Sequence, residues 1–327
     1  MKPRVPNCFL VGAPKCGTTA LARFLSQHSH VFFSEPKEPG YFIVDERHGD
    51  VTVPDFEAYR RLFEQAKTEK VVAEGTTSYL MYPSALARIA ALAPEARIIV
   101  CLREPVASMV SLHLQLCRNR ESEFITDFEE ALAAEPDREQ GRRLPRRHRD
   151  NPELFQYRKR VRYADQLETV YRYFGRDQVQ VILHDDLVES NAVVFRKLEA
   201  FLDIPHEEVE FGSHNTATVP RYPRFRDLTS RFLQSGMWTR IRTRVLPLAP
   251  KSAVRRWKRH VYAEEPVDRS EPALSPKAGE DLKRELLPQV RKLSDLLGED
   301  LVARWGYPNA SGAIDPVSGR NDPAGKQ

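Results

Sequence analysis

Residues 9–25, FLVGAPKCGTTALARFL, place a tight loop between an apolar run and an amphipathic helix. The first three residues are apolar, which is typical of a buried parallel strand. The loop 12–17 contains two glycines and a proline, and Thr18 and Thr19 can cap the first turn of the following helix. Unpaired backbone N–H groups and the positive end of the helix dipole converge at such a loop. The stretch therefore predicts an anion-binding site, to which Lys15 adds a positive charge.

The position of this lysine indicates which anion the loop does not bind. A nucleoside-triphosphate loop has the pattern GxxxxGK[ST], with lysine directly after the second glycine and a hydroxyl that binds Mg²⁺. Gly12 and Gly17 keep this interval, but Thr18 occupies the lysine position and Lys15 lies inside the loop. The pattern argues against a triphosphate bound with a metal ion, and we predict no metal site. A plain strand-to-helix turn with a chance lysine is the alternative interpretation.

The composition of the 327-residue chain, 41% hydrophobic with a formal net charge of +4, limits the remaining possibilities. A chain of this length can bury a large core, so we expect one large α/β domain with insertions. The small net charge argues against a nucleic-acid partner. No apolar run approaches the roughly 20 residues that span a bilayer, and the first residues, MKPRVPNC, lack the apolar segment of a signal peptide.

The four cysteines lie far apart, without the spacing of a metal site: Cys8, Cys16, Cys101 and Cys117. Cys8 and Cys101 lie in or beside apolar, strand-like runs, which favours buried, reduced thiols. We therefore expect a reducing, cytoplasmic location.

Three further apolar runs predict strands of one parallel sheet, at 71–73, 97–102 and 178–183. The intervening patterns predict helices at about 84–93, from Pro105 onward, at 157–174, at 191–202 and within 277–305. Ligands gather at the carboxyl ends of the strands of such a sheet. The hydroxyl-rich segment 76–78 and Arg103, which follow two of these strands, are therefore expected near the first loop.

Arg103 directly follows the most strand-like of these runs, and Pro105 suits the first turn of the next helix. An ATPase would place an aspartate after such a strand to hold Mg²⁺. An arginine at this position favours a second phosphate instead. Ser111 lies two helical turns further on, where it approaches the arginine only if its helix face turns toward the cleft.

Two prolines enclose a Lys–Glu pair in the segment 34–42, SEPKEPGYF. Proline disfavours both helix and central strand, so the segment is predicted to be a rigid loop that presents a carboxylate. Glu38 is the candidate for this carboxylate and Glu35 is its competitor. An ordinary solvated charge in a turn is the alternative interpretation.

Taken together, these motifs resemble the sulfotransferases that use 3′-phosphoadenosine 5′-phosphosulfate. The matching segments are PKCGTTAL at 14–21, PKEP with YF at 36–42, and LREP at 102–105 with Ser111. They are most similar to the bacterial and heparan-sulfate-type branch, whose members show PK[CST]GTT, KEPHFF and LR[DE]P…S segments. The segment FGRDQVQVILHDDL at 174–187 extends the resemblance to about residue 205. The order and spacing of the segments make a chance match improbable.

The resemblance implies a P-loop-like three-layer α/β/α fold with a central parallel sheet and a binding site for the phosphosulfate donor. Lys15 would neutralise charge on the bridging oxygen as the sulfur–oxygen bond breaks. Arg103 and Ser111 would hold the 3′-phosphate, and Arg221 would contact the cofactor from a later loop. The residues that would bind the 5′-phosphosulfate are Lys15, Cys16, Gly17, Thr18 and Thr19.

By the same resemblance, Glu38 aligns with the carboxylate that serves as general base in the heparan-type enzymes. The implied reaction is metal-independent, in-line transfer of a sulfuryl group to an acceptor hydroxyl, or less commonly an amine, of a carbohydrate or glycolipid. The family often carries a lysine after the second strand, but here Gly75 follows Glu74. The alternatives are a P-loop nucleotide or small-molecule kinase and a non-catalytic protein on the same fold that binds anionic polysaccharides.

The domain is predicted to span residues 1–309, with a basic insertion at about 118–162 and a C-terminal helical part at about 224–305. Residues 310–327 are rich in Gly, Pro, Ser and Asp and are expected to form a disordered tail. The arginine-rich part of the insertion, 142–162, is interpreted either as a flexible lid that meets an anionic acceptor or as a solvated surface segment. The basic segment 251–259 allows peripheral membrane contact or a plain surface helix.

Overall fold

A computed structural model of the protein describes residues 4–43, 53, 55–118, 122–212, 218–220, 264–266 and 274–308. The chain divides into two compact units, and the first contains the described residues up to 212 and from 274 onward. A five-stranded parallel sheet forms the centre of this unit, in the order β2-β3-β1-β4-β5. Its strands are β1 (Cys8–Gly12), β2 (Val31–Phe33), β3 (Val71–Gly75), β4 (Arg97–Leu102) and β5 (Val179–Leu183).

The predicted strands are confirmed because their sequences suit the interior of a parallel sheet. All five residues of β1 and of β3 are buried, as expected for strands covered on both faces. The sequence patterns did not identify β2, which has three residues and lies at an edge of the sheet.

Helices flank the sheet and follow the predicted boundaries to within a few residues at most positions. Short 3-10 turns occur at Tyr41–Ile43, Tyr79–Met81, Arg146–His148, Pro152–Phe155 and Arg176–Gln178. The α-helices of this unit are α1 (Thr18–Leu25), α2 (Phe56–Arg61), α3 (Pro83–Leu92), α4 (Pro105–Arg118), α5 (Phe128–Ala133), α6 (Glu135–Glu139), α7 (Tyr157–Arg160), α8 (Tyr163–Tyr173), α9 (His184–Glu189), α10 (Asn191–Leu202), α11 (Pro276–Leu297) and α12 (Leu301–Arg304).

The helices pack in two groups around the sheet. Helix α8 contacts α3 and α11, and α11 also contacts α4. Helices α1 and α10 meet through Phe211, whose ring centroid lies 4.9 Å from that of Phe24 and 5.9 Å from that of Phe195. The parallel sheet with its flanking helices confirms the predicted three-layer α/β/α fold class.

The single helix predicted at 157–174 is wrong in one respect, because the chain breaks between α7 and α8. Arg162 leaves the helical region, with φ −76° and ψ 58°. The break lets two different faces be buried: Tyr157 donates a hydrogen bond to Glu123 (2.8 Å), whereas the Tyr163 hydroxyl lies 3.7 Å from Cys16 Sγ beside the first loop.

The described part of the basic insertion, 122–162, contains the short helices α5, α6 and α7 and two 3-10 turns, whereas the lid and surface interpretations of 142–162 stay predictions. Arg138 and Glu123 form an ion pair at 2.9 Å, and both side chains are completely buried. The Arg138 guanidinium also lies 5.1 Å from the centre of the Phe155 ring. These contacts anchor α6 to the segment that precedes α5.

Carboxylates neutralise much of the positive charge that the sequence concentrates in this insertion. Arg142 pairs with Asp137 and Arg143 with Glu130. The same holds for three further pairs: Arg158–Glu135, Lys159–Glu153 and Arg162–Asp165. A large part of the segment is therefore an ion-pair network rather than an open basic surface.

Replacing Arg138 by methionine is expected to destabilise the protein by about 3–5 kcal/mol, because it leaves Glu123 charged and unpaired in the interior. Urea unfolding of the variant measures this change in the free energy of unfolding. The matched control is Arg142→Met, since Arg142 and Asp137 are both exposed and such pairs contribute about 0–1 kcal/mol. Equal, small losses in both variants would contradict the buried ion pair.

In the second unit, the structure describes one antiparallel strand pair, β6 (Thr218–Pro220) and β7 (Glu264–Pro266). Arg221, the basic segment 251–259 and the predicted tail lie outside the described residues. None of the described helices is long and apolar enough to cross a membrane. All four cysteines are free thiols; Cys8, Cys16 and Cys101 are buried, whereas Cys117 is half-buried.

Candidate active site

The loop between β1 and α1 requires glycine at Gly12, where it passes closely under the segment that follows β3. A Cβ atom on Gly12 would lie 2.8 Å from the Thr77 carbonyl oxygen and 2.7 Å from Leu80 Cβ. Neither neighbour can move away easily, because one is backbone and the other is bonded directly to the backbone of a buried residue. This contact brings the ends of β1 and β3 together.

Gly17 forms the N-cap of α1 in a left-handed conformation, with φ 89°. The predicted capping by threonine is wrong, since Thr18 and Thr19 are already helical and neither side chain caps the helix. Thr18 is buried and Thr19 is exposed. The N–H groups of this first helical turn have no partner within the helix, as an anion site requires.

Lys15 is half-buried and adopts a left-handed backbone conformation, with φ 67°. Burial lowers the pKa of its ammonium group, and the positive charges of Arg118 and Arg103 lower that pKa further. Three cationic side chains therefore act on one another at the loop. Such mutual repulsion is relieved when an anion binds among them.

Arg103 follows β4 and donates a hydrogen bond from Nη1 to the Lys15 carbonyl oxygen, at 3.4 Å. Ser111 lies half-buried in α4, and Arg118 lies seven residues further along the same helix. Residues seven apart share one helix face, so Ser111 and Arg118 point to the same side of α4. The motif analysis missed Arg118, whose distance from the LREP segment hides its proximity to Lys15.

Cys16 is completely buried behind the loop, with Sγ 3.7 Å from the Tyr163 hydroxyl and 3.9 Å from Ser108 Oγ. Burial raises the pKa of the thiol to about 11, so it is protonated at neutral pH. The side chain supports the loop from behind, so only the backbone of Cys16 is available to contact a bound phosphosulfate donor.

Glu38 also has a left-handed backbone, with φ 65°, and is held at the end of β3. Its N–H donates to the Gly75 carbonyl oxygen (2.9 Å), and the Thr77 hydroxyl donates to its two carboxylate oxygens at 3.2 and 3.1 Å. Lys37 Nζ lies 2.7 Å from Glu38 Oε1. Glu35, its competitor in the sequence, is exposed.

Glu74 is a second carboxyl group at this edge, and it was not recognised as a candidate from the sequence. It is completely buried in β3 and accepts a hydrogen bond from the Tyr79 hydroxyl at 3.4 Å. Desolvation raises its pKa to about 7, although the hydroxyls of Tyr59, Thr76 and Tyr79 favour the ionised form. Strongly shifted carboxyl groups cluster at functional sites, which was the signal available only from the structure.

A recess beside the loop borders both parts of the site. It is lined by residues of the loop and of the segment after β3, Pro14 and Thr77 among them, and by Met81, Arg160 and Gln166. Because Thr77 binds Glu38 directly, a group that enters this recess approaches the carboxylate next to the loop.

The structure thus brings most of the predicted residues to the carboxyl end of the sheet. The Arg103 side chain donates a hydrogen bond to the Lys15 backbone. Glu38 lies at the same edge of the sheet, because it binds Thr77, whose backbone contacts Gly12. Arg221 lies outside the described residues. Among the residues that the structure describes, no group of three or more His, Cys, Asp or Glu side chains is arranged to hold a metal ion.

A glycine loop opening onto a helix, a clustered set of cations and a presented carboxylate define a group-transfer site on this fold. The model of the Sulfotransferase family matches residues 6–208, which is more than half of the chain. The protein therefore belongs to the Sulfotransferase family, and the family resemblance stated from the motifs is confirmed.

Individual relatives agree with this assignment. The chain is 28% identical over 221 residues to the bifunctional heparan sulfate N-deacetylase/N-sulfotransferase 1 of Caenorhabditis briggsae, covering 65% of this chain and 24% of the relative. It is 24% identical over 219 residues to human heparan sulfate glucosamine 3-O-sulfotransferase 5, covering 66% and 58%. The chain thus spans less than two thirds of the length of these curated relatives.

A solved structure covers nearly the whole chain. The sulfotransferase from Alicyclobacillus acidocaldarius is 28% identical and superimposes with a TM-score of 0.66. The match covers 92% of this chain and 99% of that one. The fold therefore corresponds to that of a sulfotransferase over most of its length.

Proposed function

We propose that the protein transfers a sulfuryl group from 3′-phosphoadenosine 5′-phosphosulfate to an acceptor hydroxyl and releases adenosine 3′,5′-bisphosphate. The observation that carries the proposal is the contact of Lys15 with Arg103 at the first loop, opposite a carboxylate held by Thr77. Two separate cations suit a donor with two phosphate positions. The loop lacks the lysine position of a triphosphate site.

The donor would bind with its phosphosulfate at the N-terminus of α1, where the N–H groups of Gly17, Thr18 and Thr19 point toward the anion. Lys15 would neutralise the negative charge that develops on the leaving oxygen. Arg103 and Ser111 would hold the 3′-phosphate, with Arg118 adding positive charge. In-line transfer depends mainly on such positioning and charge stabilisation.

Glu38 would act as the general base. The acceptor oxygen forms a bond to sulfur while its proton passes to a Glu38 carboxylate oxygen, and the bond from sulfur to the leaving oxygen breaks. The bonding electron pair stays on the bisphosphate, close to Lys15. Thr77 orients the carboxylate, because its hydroxyl donates to both oxygens.

The proposed acceptor is a carbohydrate or glycolipid hydroxyl. The relatives named above act, by their names, on heparan sulfate, and this supports a glycan. The recess lined by Met81, Arg160 and Gln166 is the proposed entrance, since it adjoins Thr77. Neutralisation of the insertion by its own carboxylates argues against this segment as a long basic track for a polyanion.

Thermal stabilisation and transfer assays test the function together. Adenosine 3′,5′-bisphosphate is expected to raise the Tm, whereas ATP with Mg²⁺ leaves it unchanged, because only a ligand that prefers the native state stabilises it. Transfer of labelled sulfate is then measured with an N-acetylheparosan oligosaccharide, a glycolipid and 4-nitrophenol as acceptors. Stabilisation by ATP and Mg²⁺ alone would favour a kinase, and bisphosphate binding without transfer to any acceptor would favour a non-catalytic protein.

A further inference from the structure

Glu74 lies behind the edge of the sheet that carries Glu38, and the mechanism above does not use it. The residue is 0% exposed, and burying a carboxyl group is unfavourable unless its contacts compensate. The hydroxyl groups that contact Glu74 also bind the segment that follows Glu38. The buried carboxyl group is therefore connected to the proposed base.

The first connection passes through Tyr79. The Tyr79 hydroxyl donates to Glu74 Oε2 at 3.4 Å and accepts a hydrogen bond from the Phe42 N–H, also at 3.4 Å. A hydroxyl has one proton, so directing it toward Glu74 leaves a lone pair for the backbone. Glu74 thereby orients the Tyr79 hydroxyl so that it can accept the hydrogen bond from the chain after Glu38.

Thr76 makes a second connection of the same kind. Its hydroxyl favours the ionised form of Glu74, and its Oγ1 accepts a hydrogen bond from the Gly40 N–H at 3.3 Å. Gly40 and Phe42 lie two and four residues after Glu38. Two hydroxyls oriented by one carboxyl group therefore hold the segment that carries the proposed base.

The two carboxyl groups also interact through space. The negative charge of Glu38 raises the pKa of Glu74. The described polar and charged groups around this pair also include Arg88 of α3, which binds the Phe42 carbonyl oxygen. The others are Tyr59 on α2, Thr76, Thr77, Tyr79 and Lys37 beside Glu38.

We propose that Glu74 is a positioning residue for Glu38, whose segment it holds in place through Tyr79 and Thr76. The inference rests on the proposed function, because it assigns Glu38 the role of base. Glu74 itself exchanges no proton with the substrate.

The chain offers a matched pair of variants for a test. Tyr79→Phe removes the hydroxyl that links Glu74 to Phe42, whereas Tyr59→Phe removes a buried hydroxyl beside Glu74 that makes no hydrogen bond to the described segment after Glu38. Glu74→Gln and Tyr79→Phe are expected to lower kcat by about tenfold or more, since small misplacements of a reacting group lower rates strongly. Tyr59→Phe is expected to keep the wild-type kcat, and the Kd of adenosine 3′,5′-bisphosphate is expected to stay unchanged in all three.

The pH dependence separates positioning from a purely structural role. In the wild type, kcat is expected to rise as Glu74 ionises around pH 7, and this step is absent in Glu74→Gln. Stability provides a readout without substrate: the folded protein holds the Glu74 proton above its ordinary pKa of 4.5, so the wild type loses stability between pH 4.5 and 7. The Tm of Glu74→Gln should therefore rise relative to the Tm of the wild type as the pH increases from 4.5 to 7.

The outcomes distinguish the two proposals. If the wild type is active and Glu74→Gln keeps both its kcat and the rise of kcat near pH 7, the inference is overturned and the proposed function stands. An equal loss of kcat in Tyr79→Phe and Tyr59→Phe has the same meaning. A wild type that binds the bisphosphate but transfers sulfate to none of the three acceptors overturns the proposed function and, with it, the role of Glu74. Loss of kcat in Glu74→Gln and Tyr79→Phe only, with the step abolished in Glu74→Gln, supports the inference.

Discussion

Turnover is expected to fall on the order of 10²- to 10³-fold when Lys15 is replaced by alanine, the usual effect of removing one preorganised donor at an oxygen that gains charge. Lys15 lies in a left-handed conformation in the middle of the loop, which directs it differently from a lysine on the helix. Its ammonium group is half-buried, and the positive charges of Arg118 and Arg103 act on it. Steady-state transfer of labelled sulfate measures the loss.

The matched control for this variant is Lys70→Ala, which removes an exposed lysine that pairs with Asp203. It is expected to keep wild-type turnover and bisphosphate affinity. Because the pKa of Lys15 is lowered, its charge is lost at a lower pH than that of an exposed lysine. The alkaline decline of the wild-type rate should accordingly begin below the ordinary lysine range, and equal rates in both variants would contradict the role of Lys15.

Glu38→Gln is expected to lower kcat by about 10²- to 10⁴-fold, the typical contribution of a positioned general base. Glutamine keeps the size of the side chain and can still accept the Thr77 hydrogen bond, but it cannot take the acceptor proton. The Kd of adenosine 3′,5′-bisphosphate, measured by calorimetry, should not change, because the described residues assigned to the donor lie on the first loop, at the end of β4 and on α4.

Glu35→Gln is the control for the base, three residues away in the same proline-rich segment. Glu35 is exposed and should be replaceable without loss of rate. A large loss in Glu35→Gln together with normal turnover in Glu38→Gln would transfer the role of base to Glu35.

The sheet and the donor loop could be predicted because their signals are local. Continuous apolar runs identify buried parallel strands, and the interval between Gly12 and Gly17 identifies the loop. The backbone of Lys15 and Glu38 could not be predicted, since lysine and glutamate rarely adopt the left-handed conformation that both show. The surrounding fold imposes it, and such outliers concentrate at functional sites.

Interactions between distant residues account for the failures. The buried pair of Arg138 was not predicted, because its partner, Glu123, lies fifteen residues earlier and nothing in the local pattern pairs them. Glu74 looked like the polar end of a strand, although its neighbours Tyr59 and Tyr79 make the site around it closed and dry. Charge and burial of this kind depend on tertiary packing, which periodicity does not reveal.

The contact between Gly12 and the Thr77 backbone has a consequence for how the protein can diversify. Gly12 of the donor loop contacts the Thr77 backbone, and the Thr77 side chain holds the Glu38 carboxylate, so the two segments are coupled. Substitution of Gly12 or Thr77 would disturb both. Met81 and Gln166, by contrast, border the recess without belonging to that unit. Under the proposed function, we therefore expect substitutions at those two positions to change acceptor preference while the chemistry at the sheet edge is kept.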